Sequence, residues 1–201
     1  MKIGITSDCS SGLEYAPFEH HIKITRTTIH FKDEELIDGI DIKAEEFYRR
    51  LKETDIVPST SAPSLGEISK RVEELKAEGC TDVIHFPISF GLSAYGENLL
   101  NAFDNMVEGV KLHVFNCHSA CLMEGYCAHY AEILAERGYT VEEIMDECQK
   151  FADQTVAYLI VDDLKYLVKN GRLNAVSGFI GGLAKIKPIL QLAKNGTIDV
   201  F

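Results

Sequence analysis

Strand-like and helix-like hydrophobic patterns alternate along the middle of the chain. Short apolar runs, typical of buried strands, lie at 2–6, 82–88, 110–115 and 156–161. Apolar residues recur three and four positions apart, as on one face of a helix, over 65–75, 94–106, 121–137 and 140–152. This alternation predicts βαβ units in a mostly parallel sheet, with a ligand crevice outside the carboxyl ends of the strands.

The two ends of the chain depart from this alternation. Near the start, the pattern predicts a β region at 22–31, an acidic turn at 33–35 and a helix at 43–52. After the last strand of the alternating region, it predicts helices at 164–168 and 175–183 and a hairpin formed by 189–192 and 198–201. We therefore predict an α/β fold with a first domain at 1–155, its mostly parallel sheet flanked by helices, and a second, smaller α/β lobe at 156–201. Because the sequence stops soon after the last strand begins, the second lobe is expected to be incomplete.

Two of the predicted helices carry explicit start signals. Ser64 and Glu67 have the spacing of a capping box, as do Thr140 and Glu143. The first of these helices is expected to end before Gly79.

Composition and charge exclude several classes of function. The chain has 201 residues, of which 46% are hydrophobic and 25% charged, which is enough to bury a substantial core. Thirty-one acidic residues against 20 basic ones give a net charge of -11, which disfavours nucleic acid and anionic lipid surfaces. The sequence shows neither a signal peptide nor an integral membrane segment, so we expect a cytoplasmic protein.

Six cysteines and several histidines raise the question of a metal site. In a cytoplasmic chain the cysteines are expected to be reduced. The crowded residues are His113, Cys117, His118, Cys121, Cys127 and His129. Their spacing matches none of the usual paired-ligand patterns, and Cys121 and Cys127 fall on an apolar helix. We therefore expect buried thiols, no metal and no cofactor.

Two hydroxyl-rich segments are the first candidates for function. Residues 58–64 read PSTSAPS and residues 88–95 read ISFGLSAY, and each is expected to be a loop that leads into a helix. Helix N-termini carry unpaired N–H groups and a partial positive charge, so hydroxyls beside them can hold carboxylate or phosphate oxygens. The alternative for Ser61, Ser64 and Ser93 is helix capping.

Five motifs, in order along nearly the whole chain, resemble those of the DegV family of fatty-acid-binding proteins. Residues 7–13 (SDCSSGL) are similar to TDSTADL, 58–64 (PSTSAPS) to PTTSQPS, and 88–93 (ISFGLS) to ISSxLS. Further on, 163–173 (DLKYLVKNGRL) resemble LxYLxxGGRI, and 186–190 match IKPIL. Each string alone is weak, but the shared order makes the resemblance specific.

The resemblance implies that a long-chain fatty acid is clasped between two lobes and that its carboxylate is presented to the catalytic subunit of a fatty acid kinase. The carboxylate would be held by Ser61 and Ser93, next by Thr60, and by the backbone N–H of Ala94. Arg172 is a candidate contact for the acyl phosphate. The candidate tunnel walls, each of which can instead be ordinary core, are Ile29, Phe31, Phe90, Leu92, Phe179 and Ile180.

The chain departs from the family pattern at several positions. Ala94 and Tyr95 stand where the family has Gly-Thr, Asn170 replaces a glycine, and Ala62 replaces a glutamine. Family members also continue beyond the point where this sequence ends. Tyr95 in particular places a phenol where a small hydroxyl is expected.

Three alternative interpretations stay open at this stage. Arg172 can form an ion pair with Asp162 or Asp163 instead of meeting a ligand. A serine hydrolase would use Ser93 with His85 or His118, although the second glycine of a nucleophile elbow is missing. A phosphotransfer subunit for a small sugar or dihydroxyacetone would need a histidine at the strand edge, for which His118 is the candidate.

Overall fold

The computed structural model describes residues 2–102, 106–173 and 187–201. Two short 3-10 turns, Cys9–Ser11 and Leu13–Tyr15, follow the first strand. The strands and helices in chain order are β1 (Ile3–Asp8), β2 (Lys23–Thr25), β3 (Thr28–Phe31), β4 (Glu34–Ile37), α1 (Ala44–Lys52), β5 (Ser59–Ser61), α2 (Leu65–Ala77), β6 (Asp82–Phe86), α3 (Tyr95–Ala102), β7 (Lys111–Val114), α4 (Leu122–Glu136), α5 (Val141–Gln154), β8 (Tyr158–Leu159), α6 (Lys165–Lys169), β9 (Leu190–Leu192) and β10 (Ile198–Val200).

The central sheet has the order β2-β1-β6-β7, and all its strands are parallel. Neighbouring residues of β6 point to opposite faces of the sheet, as strand geometry requires. Val83 packs with residues of α2 and α3, whereas Ile84 packs with residues of α4 and α5. Both faces are therefore covered by helices, and the prediction of a parallel sheet flanked by helices is confirmed.

The capping signals have different outcomes in the structure. Thr140 accepts from the N–H of Glu143 at 3.3 Å, and the Glu143 carboxylate accepts from the N–H of Thr140 at 2.9 Å, which completes the capping box of α5. Ser64 accepts from the N–H of Glu67 at 3.1 Å, so it caps α2 with one of the two hydrogen bonds of a capping box. Helix α2 ends before Gly79, as predicted, and the φ of +91° at this residue is easiest for glycine.

A separate antiparallel sheet, in the order β4-β3-β5, corrects two predictions. The expected acidic turn at 33–35 is wrong, because Glu34 and Glu35 already pair with β3 and the hairpin turns at Lys32 and Asp33. The first hydroxyl segment is also not purely a loop, because 59–61 form β5 against β3. Both strands lie at sheet edges, where backbone pairing can hold polar residues without hydrophobic alternation.

The C-terminal sheet has the order β10-β9-β8 and contains the predicted hairpin. Leu173, Leu190 and Ile198 form a small buried cluster beneath it. The predicted helix at 175–183 lies outside the described residues. The domain boundary at 155 stays a prediction. In the part of the chain that the structure describes, no helix is long and apolar enough to span a bilayer.

Candidate functional site

The second hydroxyl segment follows β6 at the carboxyl edge of the central sheet. We call residues 88–93 the head-group loop, after the contact that the five-motif resemblance implies for it. Its amides are held from several directions: Ile88 N–H donates to Asp8 at 2.9 Å, and Ser89 N–H donates to the carbonyl of Ser119 at the same distance. The buried Ser89 hydroxyl donates to the carbonyl of Gly196 at 2.8 Å. The loop is therefore fixed by the end of β1, by the segment after β7 and by the turn of the β9–β10 hairpin.

Ser93 lies at the end of this loop, immediately before α3. Its N–H donates to the carbonyl of Ser89 at 3.1 Å, and its hydroxyl oxygen accepts from the N–H of Tyr95 at 3.2 Å. Ala94 is exposed beside it, and amides in the first turn of a helix have no acceptor within the helix. Ser93 and Ala94 thus have the predicted setting at a strand-to-helix turn, where neutral donors can meet an anion.

Tyr95 does not intrude on this position. The side chain is 5% exposed and packs in the core beneath α2 and α3, where its ring meets the ring of His85 edge-on at 5.6 Å between centroids. The tyrosine therefore adds to the core instead of occupying the loop end beside Ser93.

The first hydroxyl segment presents Thr60 and Ser61 on opposite faces of β5, because successive side chains of a strand alternate. Thr60 pairs with Ile29, and Ser61 pairs with Thr28. The oxygen of Ser61 lies 2.6 Å from Nε2 of His30, a contact that sequence reasoning missed because β3 was treated only as an alternating strand. Both hydroxyl residues are exposed. Within the described residues, no hydrogen bond joins this segment to the head-group loop.

Arg172 is brought to the head-group loop. Its Nε donates to the carbonyl of Leu92 at 3.2 Å, and the guanidinium also donates to the carbonyl of Asn170 at 2.6 Å. The alternative ion pairs are not formed, because Asp162 pairs with Lys187 and Asp163 pairs with Lys165. The Arg172 guanidinium therefore lies against Leu92, the residue that precedes Ser93. No motif spacing predicted this contact.

The candidate tunnel residues have mixed surroundings. Ile29 and Phe31 are buried, and the Phe31 ring meets Phe47 of α1 edge-on. Phe90 lies against Gly96, where an added Cβ would come within 2.0 Å of its ring, and Leu92 packs against the C-terminal cluster. Phe179 and Ile180 lie outside the described residues. Phe31 thus packs against α1, whereas Phe90 and Leu92 are residues of the head-group loop itself.

A buried polar network that sequence reasoning missed lies beneath the head-group loop. Glu124, in the first turn of α4, is fully buried and lies within hydrogen-bond distance of the Ser7 and Ser10 hydroxyls, at 3.1 and 2.8 Å. Asp8, also buried, accepts from the N–H groups of Ser10 and Ile88, both at 2.9 Å. Glu124 shares α4 with Glu132 and Glu136, so its sequence position alone did not single it out.

Burial changes the ionisation of this network and of its neighbour His85. Desolvation raises the pKa of Glu124 well above its usual value, and the charges of Asp8 and Cys117 add to the effect. Desolvation also raises the pKa of Asp8, against the opposing effect of the hydrogen bonds that it accepts. His85 is fully buried, and desolvation lowers its pKa to about 3, so the ring that contacts Thr6 at 2.9 Å is neutral.

Among the described residues, the geometry does not link Ser93 to a histidine, as the hydrolase alternative requires. The nearest hydrogen-bonding partners of His85 and His118 are Thr6 and Asn116, and no described residue links either histidine to Ser93. Across the described ranges, no group of three or more metal-ligating side chains clusters. All six cysteines are free thiols, and four of them are buried. Within the part of the chain that the structure describes, a Ser-His hydrolase site is therefore not formed.

Comparison with known sequences gives a consistent result. Residues 2–201 match the sequence model of a family described as "Uncharacterised protein, DegV family". A DegV domain-containing protein of Staphylococcus aureus is 35% identical over 193 residues, which span 95% of this chain and 67% of that protein. Protein DegV of Bacillus subtilis is 31% identical over 196 residues, which span 95% of this chain and 68% of that protein.

Solved structures share the same fold. The crystal structure of Bacillus subtilis DegV, described as a fatty acid binding protein, is 32% identical and superposes with a TM-score of 0.85. The match covers 100% of this chain and 71% of that one. A fatty acid binding DegV family protein from Streptococcus agalactiae is 26% identical, with a TM-score of 0.88 and the same coverage.

The parallel sheet, the flanking helices and the loops at its carboxyl edge define an α/β protein of the class to which these structures belong. The chain belongs to the DegV family. The resemblance carried by the five motifs is thereby confirmed.

Proposed function

We propose that this protein binds a long-chain fatty acid and presents its carboxylate to a partner kinase for acyl-phosphate formation. The observation that carries the proposal is the setting of Ser93, which ends a loop fixed at the carboxyl edge of a fold shared with fatty-acid-binding DegV of Bacillus subtilis. The Ser93 hydroxyl and the N–H of Ala94 are the primary donors. Ser61 completes the carboxylate contacts from the other hydroxyl segment, and Thr60, on the opposite face of β5, ranks after it.

Neutral donors suit this chemistry. A lysine at the carboxylate would neutralise the oxygen that must attack a phosphoryl group, whereas hydroxyl and amide donors orient the carboxylate and leave its charge in place. The apolar tail supplies the affinity, at about 0.8 kcal/mol for each buried CH2. Arg172, held beside Leu92, is the candidate to stabilise the added phosphate charge. The kinase supplies the phosphoryl-transfer chemistry, and this chain holds the substrate.

Uptake of a fatty acid tests the proposal directly. Native mass spectrometry of the purified protein should show an added mass that matches a long-chain fatty acid. If the protein is purified without ligand, the added mass should appear after incubation with oleate or palmitate. Ser93→Ala removes a hydrogen bond to a charged group, worth about 1.5–3 kcal/mol, so it should weaken oleate binding by roughly tenfold or more. Protein that takes up neither oleate nor palmitate would contradict the proposal.

The geometry of β5 allows the two faces of the first segment to be separated. Ser61→Ala removes a hydroxyl from the face shared with Thr28, and Thr60→Val removes one from the face shared with Ile29. We expect Ser61→Ala to weaken oleate binding and Thr60→Val to change it less. If Thr60→Val weakened oleate binding more than Ser61→Ala, the ligand would lie on the Ile29 face. If the Ser61→Ala, Ser93→Ala double variant bound oleate as tightly as the wild type, the head-group assignment would be refuted.

The kinase partnership has a separate test. Acyl phosphate should form from oleate and ATP only when this protein and a fatty acid kinase catalytic subunit are both present. Arg172→Gln should lower the rate of that reaction more than it lowers oleate affinity, since the guanidinium acts on the phosphorylated state. Equal losses in rate and affinity would assign Arg172 to ground-state binding.

A further inference from the structure

Two buried carboxyl groups and two serines meet where β1 ends and α4 begins. Ser7 Oγ lies 2.8 Å from the carbonyl oxygen of Phe86 and 3.1 Å from Glu124 Oε1. Ser10 Oγ lies 2.8 Å from Glu124 Oε2 and also contacts Asp8 Oδ1. Each hydroxyl therefore faces two oxygens that, in ionised carboxylates or carbonyls, can only accept hydrogen bonds.

Counting hydrogens shows that these contacts need an additional proton. The four oxygen–oxygen contacts require a hydrogen each, and the two serine hydroxyls supply only two, so with both acids ionised two contacts would lack a hydrogen. Ser7 can direct its hydrogen to the Phe86 carbonyl, the shorter of its two contacts. The single hydrogen of Ser10 would lie between two buried anions, and a proton on one of the two carboxyl groups supplies the hydrogen that this second pair of contacts lacks. An unpaired charge of this kind is costly in a buried site.

The donors decide which carboxyl group holds the proton. Asp8 accepts from two backbone amides, one on each carboxylate oxygen, and an amide cannot reverse its direction. Among the described residues, the hydrogen-bonding partners of Glu124 are the hydroxyls of Ser7 and Ser10, which can either donate or accept. Asp8 is therefore the better anion, and Glu124 is the better neutral acid.

The surroundings of Glu124 favour the same assignment. The titratable groups that face it are Asp8 at the end of β1 and the Cys117 thiol in the segment after β7. Both disfavour a further negative charge, and the side chain is fully buried. Its hydrogen-bonding partners are Ser7, also on β1, and Ser10, in the turn that follows, and neither carries a charge.

The network leads to the head-group loop through a single amide. Asp8 Oδ2 accepts from the N–H of Ile88, the first residue of that loop, and Ser93 is its last. We propose that Glu124 is a neutral carboxylic acid that positions the head-group loop: it donates to Ser10, Ser10 donates to Asp8, and the Asp8 anion anchors Ile88. The final link to ligand binding rests on the proposed fatty acid function.

Infrared spectroscopy tests the proton without any ligand. At neutral pH, the wild-type protein should show the carbonyl stretch of a protonated carboxyl group, and this band should shift when glutamate is isotopically labelled. The band should be lost in Glu124→Gln and kept in Glu143→Gln, a matched change at the exposed cap of α5. A wild-type spectrum without the band would overturn the proposal, and the labelling measurement needs no variant to fold.

Acyl affinity tests the positioning role. Glutamine has the shape and donor–acceptor pattern of a neutral glutamic acid, so Glu124→Gln should change oleate affinity by less than about threefold, whereas Asp8→Asn should weaken it by about tenfold or more. Wild-type affinity should also fall at alkaline pH as Glu124 ionises, and Glu124→Gln should remove that fall. The positioning role would be overturned if Glu124→Gln and Asp8→Asn lost oleate affinity equally. It would also be overturned if the wild type and Glu124→Gln showed the same fall in affinity at alkaline pH. If no form of the protein binds oleate, the proposed function fails, while the infrared result still decides the proton.

Discussion

The two hydroxyl segments have similar compositions but are supported in different ways. Residues 59–61 form an edge strand that β3 holds by backbone pairing, and their side chains are exposed. The head-group loop is held by side chains instead: the buried residues Asp8 and Ser89 form hydrogen bonds at its start, and Arg172 reaches its end. The position of 59–61 therefore depends on backbone hydrogen bonds, which tolerate many sequences. The position of the head-group loop depends on particular residues far away in the chain.

This difference separates the roles of the segments. An edge strand keeps its backbone position when one of its side chains changes, so each hydroxyl in it can be tested alone. The head-group loop moves with its supports, so changes that never touch a ligand should still alter it. Local substitutions should therefore have small effects on stability in the first segment and large ones around the second.

The largest expected effect comes from Gly196→Ala. Gly196 lies in the β9–β10 turn with a φ of +80°, and an added Cβ would lie 1.9 Å from the Ser89 hydroxyl oxygen. The left-handed backbone costs an alanine about 1–2 kcal/mol, and the clash adds about 1–3 kcal/mol. Urea unfolding should show the combined loss, together with weakened oleate binding.

Gly138→Ala is the matched control for this prediction. Gly138 has a similar φ of +85°, and an added Cβ meets nothing within 4 Å. It should show the backbone penalty alone and leave oleate binding unchanged. Equal unfolding free energies for the two variants would mean that the hairpin turn does not support the head-group loop.

A second prediction concerns acid stability around β6, which leads into the head-group loop. The pKa of His85 is lowered to about 3, while the unfolded chain has a histidine pKa near 6.5. Between these values the unfolded state binds a proton that the folded state does not, so His85 lowers the free energy of unfolding as pH falls, by up to about 1.4 kcal/mol per pH unit.

The variant His85→Asn tests this effect, because its amide can keep the contact with Thr6 and cannot titrate. Urea unfolding at several pH values should show a shallower acid loss in the variant than in the wild type between about pH 6.5 and 3. Parallel curves for the two proteins would show that His85 is protonated in the folded state, and that the base of the loop is less enclosed than the structure indicates.

The sequence predicted the central sheet well because hydrophobic periodicity controls it. The β6 strand and helices α2, α4 and α5 have strong patterns, and the capping signal of Thr140 acts within one turn. The short strand β5 has no such pattern, since three polar residues are held only by the backbone of β3. Elements that bury apolar side chains were therefore predictable, and elements formed by pairing alone were not.

The candidate site shows the same limit. Motif order drew attention to Ser61, Ser93 and Arg172, but spacing could not show that Arg172 reaches the carbonyl of Leu92. Glu124 was missed because its partner Ser7 lies 117 positions away, and an acidic residue on a helix is usually solvated. Polar contacts between distant segments depend on the assembled fold, which local patterns do not encode.

The smallest predicted effects divide the first hydroxyl segment itself. Ser64 caps α2, so Ser64→Ala should lower the free energy of unfolding by about 1 kcal/mol without changing oleate affinity. Ser61 is exposed, and among the described residues its hydroxyl bonds only His30. Ser61→Ala should therefore cost less than about 0.5 kcal/mol in stability while weakening oleate binding. Urea unfolding and oleate titration of both variants measure the two effects. If Ser64→Ala lost oleate affinity and Ser61→Ala did not, the ligand would lie at the helix N-terminus and β5 would serve only as its support.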